Sequence, residues 1–450
     1  MPASLDMRPS NATTKAKELL SGPFFWLSAF YLVYCIRLED WIPGLTYVPL
    51  AKISGVCAMV GLFLSLGRSK RGLRDVPSEG RYLLAMIGLL YVSALLSPVW
   101  RGGALVQTLD FSKVFVAWIL TFLLVTSVGR LRRIIFIQVA SVAVVSLISL
   151  LRSGSHPRLE GAFGGIYSNP NDLAFAIVLS LPFCLAFLLS TKNLLRRVAW
   201  MVAMLFSATA LVLTASRAGF ITLVISGAVC LWHFAIKGRR PQLIVATVLI
   251  GVTLLAVAGK TLKDRFLAIS GEDLDTRVEG TAYGSFEDRE RLIFRALHGI
   301  EQYPVLGVGK NNFVTYSEVW REVHVSYLQI AVEGGIPALI LYLMFFSRGF
   351  TNLRQVRRFK LDAETQLLAG GLHSSLVGFA VGALFAPEAY QFFPYFAVAF
   401  TSALLATLRE QEAGSLKPGK LSDRMSPWQR GNGENYKSPR ETLRTPSVVR

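Results

Sequence analysis

Long apolar segments alternate with polar connectors along nearly the whole chain. Each segment is about 17 to 23 residues long, the length with which a helix crosses a hydrocarbon core of roughly 30 Å. Buried helices of soluble proteins are shorter and keep a polar face, so the pattern favours an all-α polytopic membrane protein. About twelve transmembrane helices are predicted, near residues 23–38, 46–66, 82–97, 108–127, 133–151, 170–190, 197–214, 218–236, 241–258, 324–346, 367–386 and 392–408.

One polar interval is much longer than the other connectors. Residues 259–323 separate the ninth and tenth spans, and this loop is large enough to contain helices of its own. Residues 286–302 have the periodicity of an amphipathic helix. Its expected apolar side comprises Leu292, Ile293, Leu297 and Ile300. A site for chemistry on a polar substrate is expected in this loop or where the loop meets the membrane.

The distribution of charge predicts the orientation. The chain has a net charge of +18 and is 52% hydrophobic, with a mean hydropathy of +0.46. Lys and Arg concentrate in every second connector, at residues 68–81, 130–133, 192–197, 237–240 and 348–360. The long loop has nine basic residues against eleven acidic ones. By the positive-inside rule, both termini are cytoplasmic and the long loop lies outside, so the charge does not indicate a nucleic-acid partner.

The ends of the chain differ from the apolar part. Residues 1–22 form a polar cytoplasmic leader without the small-residue cleavage site of a signal peptide, so we expect the first span to be retained. Residues 23–408 form the transmembrane domain. Residues 409–450 are rich in Lys, Arg, Ser, Pro and Gly, and we expect a disordered cytoplasmic tail. All four cysteines lie within apolar segments, so neither a disulfide nor a zinc site is expected.

Two short outer connectors contain polar residues that could serve a site. The first holds Arg37 beside Glu39 and Asp40. The other is the segment SNPND, in which Asn169 and Asn171 are expected to form a turn and to cap the helix that follows.

Three arginines on the predicted outer side are candidates for holding an anion. Arg217 lies in the tight connector TASRAGF, close to the membrane plane. An ionised Arg at a helix centre costs about 2.5–3.5 kcal/mol, so one near a helix end either extends toward water or has an anionic partner. Arg289 and Arg291 lie on different faces of the loop helix. A planar guanidinium suits bidentate binding of phosphate oxygens, although acidic residues interleave these two.

His324 is the outer-face side chain best suited to exchange protons. It lies at the start of the tenth span, and the ordinary pKa of histidine is near 6.5. The other histidines share no spacing with it, and no metal site is predicted. They are His156, His233, His298 and His373.

Several motifs, taken in order, resemble those of the O-antigen ligase and polymerase (Wzy-type) superfamily of bacterial envelope glycan enzymes. YSNPNDLA is similar to its N-P-N-x-x-A helix start, and TASRAGF to its S-R-[GA]-[GA] turn. DRERLIFRALHGIEQYPVLGVGKNNF is similar to its S-R helix followed by a G-x-G-x-x-x-F segment. HVSYLQIAVEGGIPALILYL resembles its H-N-x-[FYL]-L segment with a later E-x-G. The order and spacing agree over residues 20–405.

The chain departs from the family pattern at a few positions. YCIRLEDWIPGL resembles the first-loop signature R-P-Q-D-x-I-P, with Leu38 and Glu39 in place of Pro and Gln. Val325 stands where Asn is usual after the histidine, and Pro337-Ala338 where the last Gly would be.

The resemblance implies a metal-independent glycosyltransferase without a cofactor, in the bacterial inner membrane with its active site at the outer face. The donor would be a glycan on a polyprenyl diphosphate carrier, and the acceptor a hydroxyl of a glycan, lipid or protein. Carried over by motif position, Arg217 and Arg289 would hold the diphosphate, and His324 would be the general base. Glu388 is the candidate for an acidic residue near the outer end of the penultimate span.

Other functions remain open at this stage. A metal-dependent polyprenyl-phosphate glycosyltransferase could use Glu39 and Asp40, although such enzymes usually have a longer first loop. A twelve-span transporter or flippase would need ionisable residues in the middle of its spans. The candidates Lys52 and Lys113 lie toward the outer ends instead. The sequence also leaves open whether the chain is a ligase or a polymerase.

Overall fold

The computed structural model describes residues 22–41, 44–65, 70–152, 158–161, 165–167, 169–249, 251–252 and 276–415. The predicted leader up to residue 21, His156 and the tail from residue 416 lie outside these residues, as do the end of the predicted ninth span and the first part of the long loop, at residues 253–275.

The described residues form helices and connecting segments, without a β-strand among them. We number the principal helices in chain order. They are α1 Pro23–Ile36, α2 Leu50–Ser65, α3 Ser78–Leu95, α4 Arg101–Leu124, α5 Val128–Leu151, α6 Pro170–Ser190, α7 Leu194–Leu213, α8 Arg217–Leu231, α9 Thr276–Gln302, α10 Ser326–Val356, α11 Ala363–Gly382 and α12 Phe392–Ser415. A π-helical turn, Trp232–Ile236, continues α8.

The predicted spans agree with these helices in position. Each predicted span overlaps a helix among the described residues, and the ninth is represented by helical residues 242–249 and 251–252. Among the described residues, seven helices are long and apolar enough to cross a membrane, namely α4 to α7, α8 together with its π-helical turn, α10 and α12. This agrees with a multi-pass α-helical membrane protein. The number twelve, the sidedness and the placement of the loop stay predictions.

The starts of the helices follow from capping chemistry. Five helices begin at a side chain that accepts a hydrogen bond from a backbone N–H of the first turn, and these caps are Ser127, Asn169, Asn193, Ser216 and Asp362. Such caps satisfy donors that a helix N-terminus leaves without an intrahelical partner. Two of them, Asn169 and Ser216, lie at the candidate site.

The helices that carry the candidate site residues pack directly on one another. α11 packs against α6 and α8, and α10 packs against α3 and α9. Gly219 of α8 lies so close to α6 that a Cβ atom would be 2.7 Å from the Cβ of Ala174. Small residues therefore let the start of α8 approach α6.

One arginine of the basic connectors is part of the protein interior. Arg71 is only 2% exposed. Its Nη1 donates to the carbonyl oxygens of Phe122 and Val125, each at 2.8 Å. The side chain therefore satisfies carbonyl groups at the end of α4, a place that favours a cation.

The last helix extends beyond the predicted span. The described residues up to Leu405 belong to one compact unit. Of the second unit, residues 406–415 are described, and they are helical. The first residues of the predicted tail, 409–415, thus belong to a helix.

Candidate functional site

Helix α10 is interrupted where a loop crosses it. Gly335 has φ 80°, and a Cβ atom there would collide with the carbonyl of Val305. The peptide N–H of Val308 donates to the carbonyl of Val332 at 2.9 Å, and that of Ile336 to the carbonyl of Pro304 at 2.8 Å. Gly335 of the E-G-G segment therefore serves a close backbone crossing, which only a residue without a side chain allows.

The same crossing holds helix α9 against α10. Leu292, Ala296 and Gly299 form the buried stripe of α9, and a Cβ atom at Gly299 would be 2.7 Å from a methyl group of Val332. Leu297, expected on the apolar side, is 44% exposed, so that part of the prediction is wrong. The close contact between α9 and α10 is made by the small residues Ala296 and Gly299, which a search for large apolar residues does not detect.

The motif segments around Asn171 and Arg217 meet in space. The side chain of Asn169 accepts from the backbone N–H of Asn171 at 2.9 Å, as expected of a cap. The side-chain oxygen of Asn171 accepts from Ser216 Oγ at 2.7 Å and from Arg158 Nη2 at 3.2 Å. Asn171 thus fixes the position of the residue that precedes Arg217.

Arg217 is the first residue of α8, and its backbone position is tightly set. Ser216 Oγ accepts from the backbone N–H of Gly219 at 3.1 Å and so caps the helix. Ala215, just before the cap, has φ 47° in the left-handed region, which is uncommon for a residue with a Cβ. The tight turn therefore determines where the Cα and Cβ atoms of Arg217 lie, at the N-terminal end of α8.

Arg289 lies beside Arg217, and the two like charges repel each other. Burial, and then the charge of Arg217, lower the pKa of Arg289. Arg289 nevertheless stays charged, because a guanidinium is not deprotonated in proteins. Among the described residues, its buried Nε has no hydrogen-bond partner, and no carboxylate forms an ion pair with either arginine. Two neighbouring guanidinium groups without a carboxylate partner in this part of the chain carry a charge that an anion would neutralise.

His324 is held next to Arg289 in a defined tautomer. Its Nδ1 lies 3.0 Å from the carbonyl oxygen of Glu322. Because a carbonyl only accepts, Nδ1 carries the hydrogen and Nε2 keeps its lone pair. Burial, followed by the charge of Arg289, lowers the pKa of His324 to about 4. The imidazole is therefore neutral near pH 7 and able to take a proton at Nε2.

The segment after His324 is braced against the end of α11. The backbone N–H of Ser326 donates to the carbonyl of Ala383 at 2.8 Å, and its hydroxyl donates to the carbonyl of Ala386 at 2.6 Å. The same hydroxyl accepts from the backbone N–H of Glu388 at 2.9 Å. This brace brings the Glu388 segment, distant in sequence, to the start of α10.

Three carboxyl groups, those of Asp172, Glu322 and Glu388, interact electrostatically near the start of α10. Burial, and then the neighbouring Asp172, raise the pKa of Glu388 well above its usual range. Glu322 acts electrostatically on both and has a pKa raised by its own burial. Oε1 of Glu388 has no hydrogen-bond partner in the described chain. The sequence interpretation missed Asp172 and Glu322, although each stands within two residues of a residue that it had selected.

A buried lysine, Lys310, interacts electrostatically with Glu322. Lys310 Nζ lies 3.4 Å from Oε1 of Gln107 and 4.5 Å from the ring centre of Tyr390. Burial lowers the pKa of Lys310, while Glu333, Asp110 and Glu322 act in the opposite direction. Apart from its position in the G-x-G-x-x-x-F segment, nothing in the sequence pattern predicts this contact of Lys310.

The remaining candidates are placed differently. Arg37 is paired with its own neighbours, at 2.7 Å from Asp40 and 3.7 Å from Glu39. Arg291 is exposed on the other face of α9 from Arg289, as the spacing predicted. In the described part of the chain, no group of three or more His, Cys, Asp or Glu residues is arranged to hold a metal ion. Metal independence stays a prediction.

The helices are those of a multi-pass membrane protein. At one end of them, two neighbouring arginines, Arg217 and Arg289, lie near the neutral His324. Residues 202–343 match the family model described as O-antigen ligase. The match confirms the resemblance to the O-antigen ligase and polymerase superfamily, whose members are membrane glycosyltransferase-type enzymes of the cell envelope. The matched segment contains Arg217, Arg289 and His324, and lies between Asn171 and Glu388 in sequence. No curated protein matches the chain.

Proposed function

We propose that the protein transfers a glycan from a polyprenyl diphosphate carrier to an acceptor hydroxyl, at the outer face of the bacterial inner membrane. The family match supports glycan transfer in envelope biosynthesis. The observation that carries the specific proposal is the pairing of Arg217 with Arg289, without a carboxylate partner among the described residues. A diphosphate supplies the missing negative charge and enough oxygens for both guanidinium groups.

The two arginines would act most strongly as the glycosidic bond breaks. The bond between the anomeric carbon and the diphosphate oxygen gives up its electron pair to that oxygen, so negative charge grows on the leaving group. Arg217 and Arg289, held in place by the start of α8 and the buried stripe of α9, would stabilise this charge without reorganising. The polyprenyl diphosphate then leaves as the other product.

His324 would supply the base for the attacking hydroxyl. The acceptor oxygen forms the new bond to the anomeric carbon while its proton moves to Nε2 of His324. The carbonyl of Glu322 keeps the proton on Nδ1, so Nε2 is the nitrogen able to accept. We assign to Asp172 and Glu388, whose carboxyl groups interact with each other, the orientation of the substrate through its hydroxyl groups.

The acidic limb of the pH profile tests the assigned state of His324. Because burial and Arg289 lower the pKa of His324 to about 4, the base form is present throughout the neutral range. We expect kcat/KM for transfer to fall with a midpoint near pH 4 as His324 becomes protonated. Transfer measured with the reconstituted protein from pH 3.5 to 8 checks this. A midpoint at the ordinary value of histidine, near 6.5, would contradict the assigned environment.

Removal of divalent metal ions separates the proposal from its metal-dependent rival. With two guanidinium groups facing the diphosphate, we expect a chelator to leave transfer by the purified, reconstituted protein unchanged. The assay compares product formed with chelator, with chelator plus excess Mg²⁺ or Mn²⁺, and without either. Strong inhibition that added metal reverses would instead support a mechanism with a metal held by acidic residues.

The acceptor decides between ligase and polymerase. Deletion of the gene followed by surface-glycan analysis distinguishes them by what accumulates. Single repeats still attached to the lipid indicate a polymerase, whereas unattached full-length chains indicate a ligase. An unchanged glycan profile would contradict the proposed transfer in either form.

A further inference from the structure

Two histidines on neighbouring helices meet far from Arg217. Nε2 of His233 lies 3.1 Å from Nδ1 of His373, and the two rings are 5.0 Å apart at an interplanar angle of 83°. His233 lies about 24 Å from Arg217 along the same helical run, at 1.5 Å per residue. At this separation the histidine pair has no part in the transfer site. The sequence pattern indicated only that neither residue shares a spacing with His324, and 140 positions separate the two.

A local irregularity brings the two rings together. His233 belongs to the π-helical turn Trp232–Ile236. Such turns are rare and frequently occur at functional sites. On the facing helix, a Cβ atom at Gly370 would be 2.8 Å from the ring of Phe234 and 3.3 Å from the Cβ of His233. The widened turn and the missing side chain of Gly370 together allow this close approach.

The pair is surrounded by positive charge. Nη2 of Arg357, just after α10, lies 3.5 Å from Nε2 of His233. Lys237 also acts electrostatically on both histidines, and Arg354 acts on His373. No carboxylate of the described residues is among the charged groups that act on the pair. Arg354, Arg357 and Lys237 are exposed, so an anion can reach them.

Exposed apolar side chains next to the histidine pair indicate that an anion bound there would be part of a lipid. Trp232 is 51% exposed and Ile236 is 54% exposed, both next to the histidine pair. The ammonium group of Lys237 lies 5.7 Å from the ring centre of Trp232. An exposed Trp next to a basic residue at a helix end is typical of the boundary between hydrocarbon and headgroups. A soluble phosphate has no apolar part that would contact Trp232 and Ile236, whereas a lipid has acyl chains.

We propose that His233, His373 and Arg357 form a binding site for the phosphate of an anionic lipid headgroup, at the end of the bundle predicted to be cytoplasmic. Arg357 provides a planar cation for phosphate oxygens, and the imidazole pair provides an N–H donor. A bound headgroup would connect α8, α10 and α11. Of these helices, α8 begins with Arg217, α10 begins just after His324, and α11 ends shortly before Glu388. The site is independent of the proposed transfer reaction.

Thermal melting of the full chain in a neutral detergent tests this site. We expect dioleoyl phosphatidylglycerol to raise the melting temperature by about 2–4 °C and dioleoyl phosphatidylcholine to leave it unchanged. Arg357→Gln should lose at least half of this shift. Arg81→Gln, which removes an exposed cation of α3, should keep it and serves as the matched control. Should Arg357→Gln not fold, His373→Gln replaces it, with the same expected loss.

Further arms identify the source of the phosphate and the outcomes that would overturn the site. Inorganic phosphate and glycerol phosphate, at the same phosphorus concentration, should produce no shift. A shift equal to that of the lipid would show a soluble phosphate ligand and would refute the lipid assignment. Equal shifts with both lipids, or a full shift retained by both Arg357→Gln and His373→Gln, would refute the site itself.

Discussion

His324→Ala is expected to lower glycan transfer by about 10²–10⁴-fold, the range over which a positioned general base contributes. The variant removes Nε2, the nitrogen that the hydrogen bond between Nδ1 and the carbonyl of Glu322 leaves available. The arginines remain, so donor affinity should stay within a few-fold of the original value. Transfer is measured as product formed by the reconstituted protein, and donor binding is measured separately with the labelled lipid-linked glycan.

His298→Ala is the matched control for this change. His298 lies exposed on α9, within hydrogen-bond distance of Gln302 and away from the arginine pair, so its loss should leave transfer unchanged. Normal transfer by His324→Ala would remove the base assignment. Loss of donor binding together with transfer would assign His324 to the donor instead of the acceptor.

Replacement of Arg217 or Arg289 by Lys is expected to lower kcat/KM about 10²-fold or more. An ammonium keeps the charge but cannot reproduce the planar fork that binds two oxygens at once. The loss should appear mainly in kcat, because the negative charge on the diphosphate grows as the bond breaks. Steady-state transfer kinetics over a range of donor concentrations separate kcat from KM.

Arg291→Lys provides the comparison on the same helix. Arg291 is exposed, whereas Arg289 is partly buried with Nε lacking a partner among the described residues, so only the change at position 289 should affect transfer. Folding of each variant is checked by its melting temperature. Full activity of Arg217→Lys and Arg289→Lys would contradict the role of a diphosphate clamp.

Features that depend on neighbouring residues were predictable from the sequence. The positions of the helices follow from the lengths of the apolar segments, and the cap at Asn169 follows from the SNPND sequence. The separation of Arg289 from Arg291 follows from helical geometry, because residues two apart lie on different faces. In each case a few consecutive residues determine the structure.

Features that depend on distant contacts were not predictable in the same way. Asn171 meets Ser216 across 45 positions, and the backbone of Glu388 meets Ser326 across 62. Apolarity also misplaced one residue of α9, since Leu297 is exposed while Ala296 and Gly299 are buried. Close packing favours small side chains where two helices cross, whereas a prediction from hydrophobicity gives more weight to large apolar side chains.

Glycan transfer as proposed requires that Arg217 and Arg289 hold one diphosphate beside His324. A structure of the protein with a non-transferable donor, in which a methylene group replaces the glycosidic oxygen, tests this directly. We expect diphosphate oxygens within about 3 Å of both guanidinium groups, the distance of charge-assisted hydrogen bonds. Nε2 of His324 should face the anomeric carbon from the side opposite the leaving group. A diphosphate bound elsewhere, for example beside Glu39 and Asp40 through a metal ion, would contradict the account.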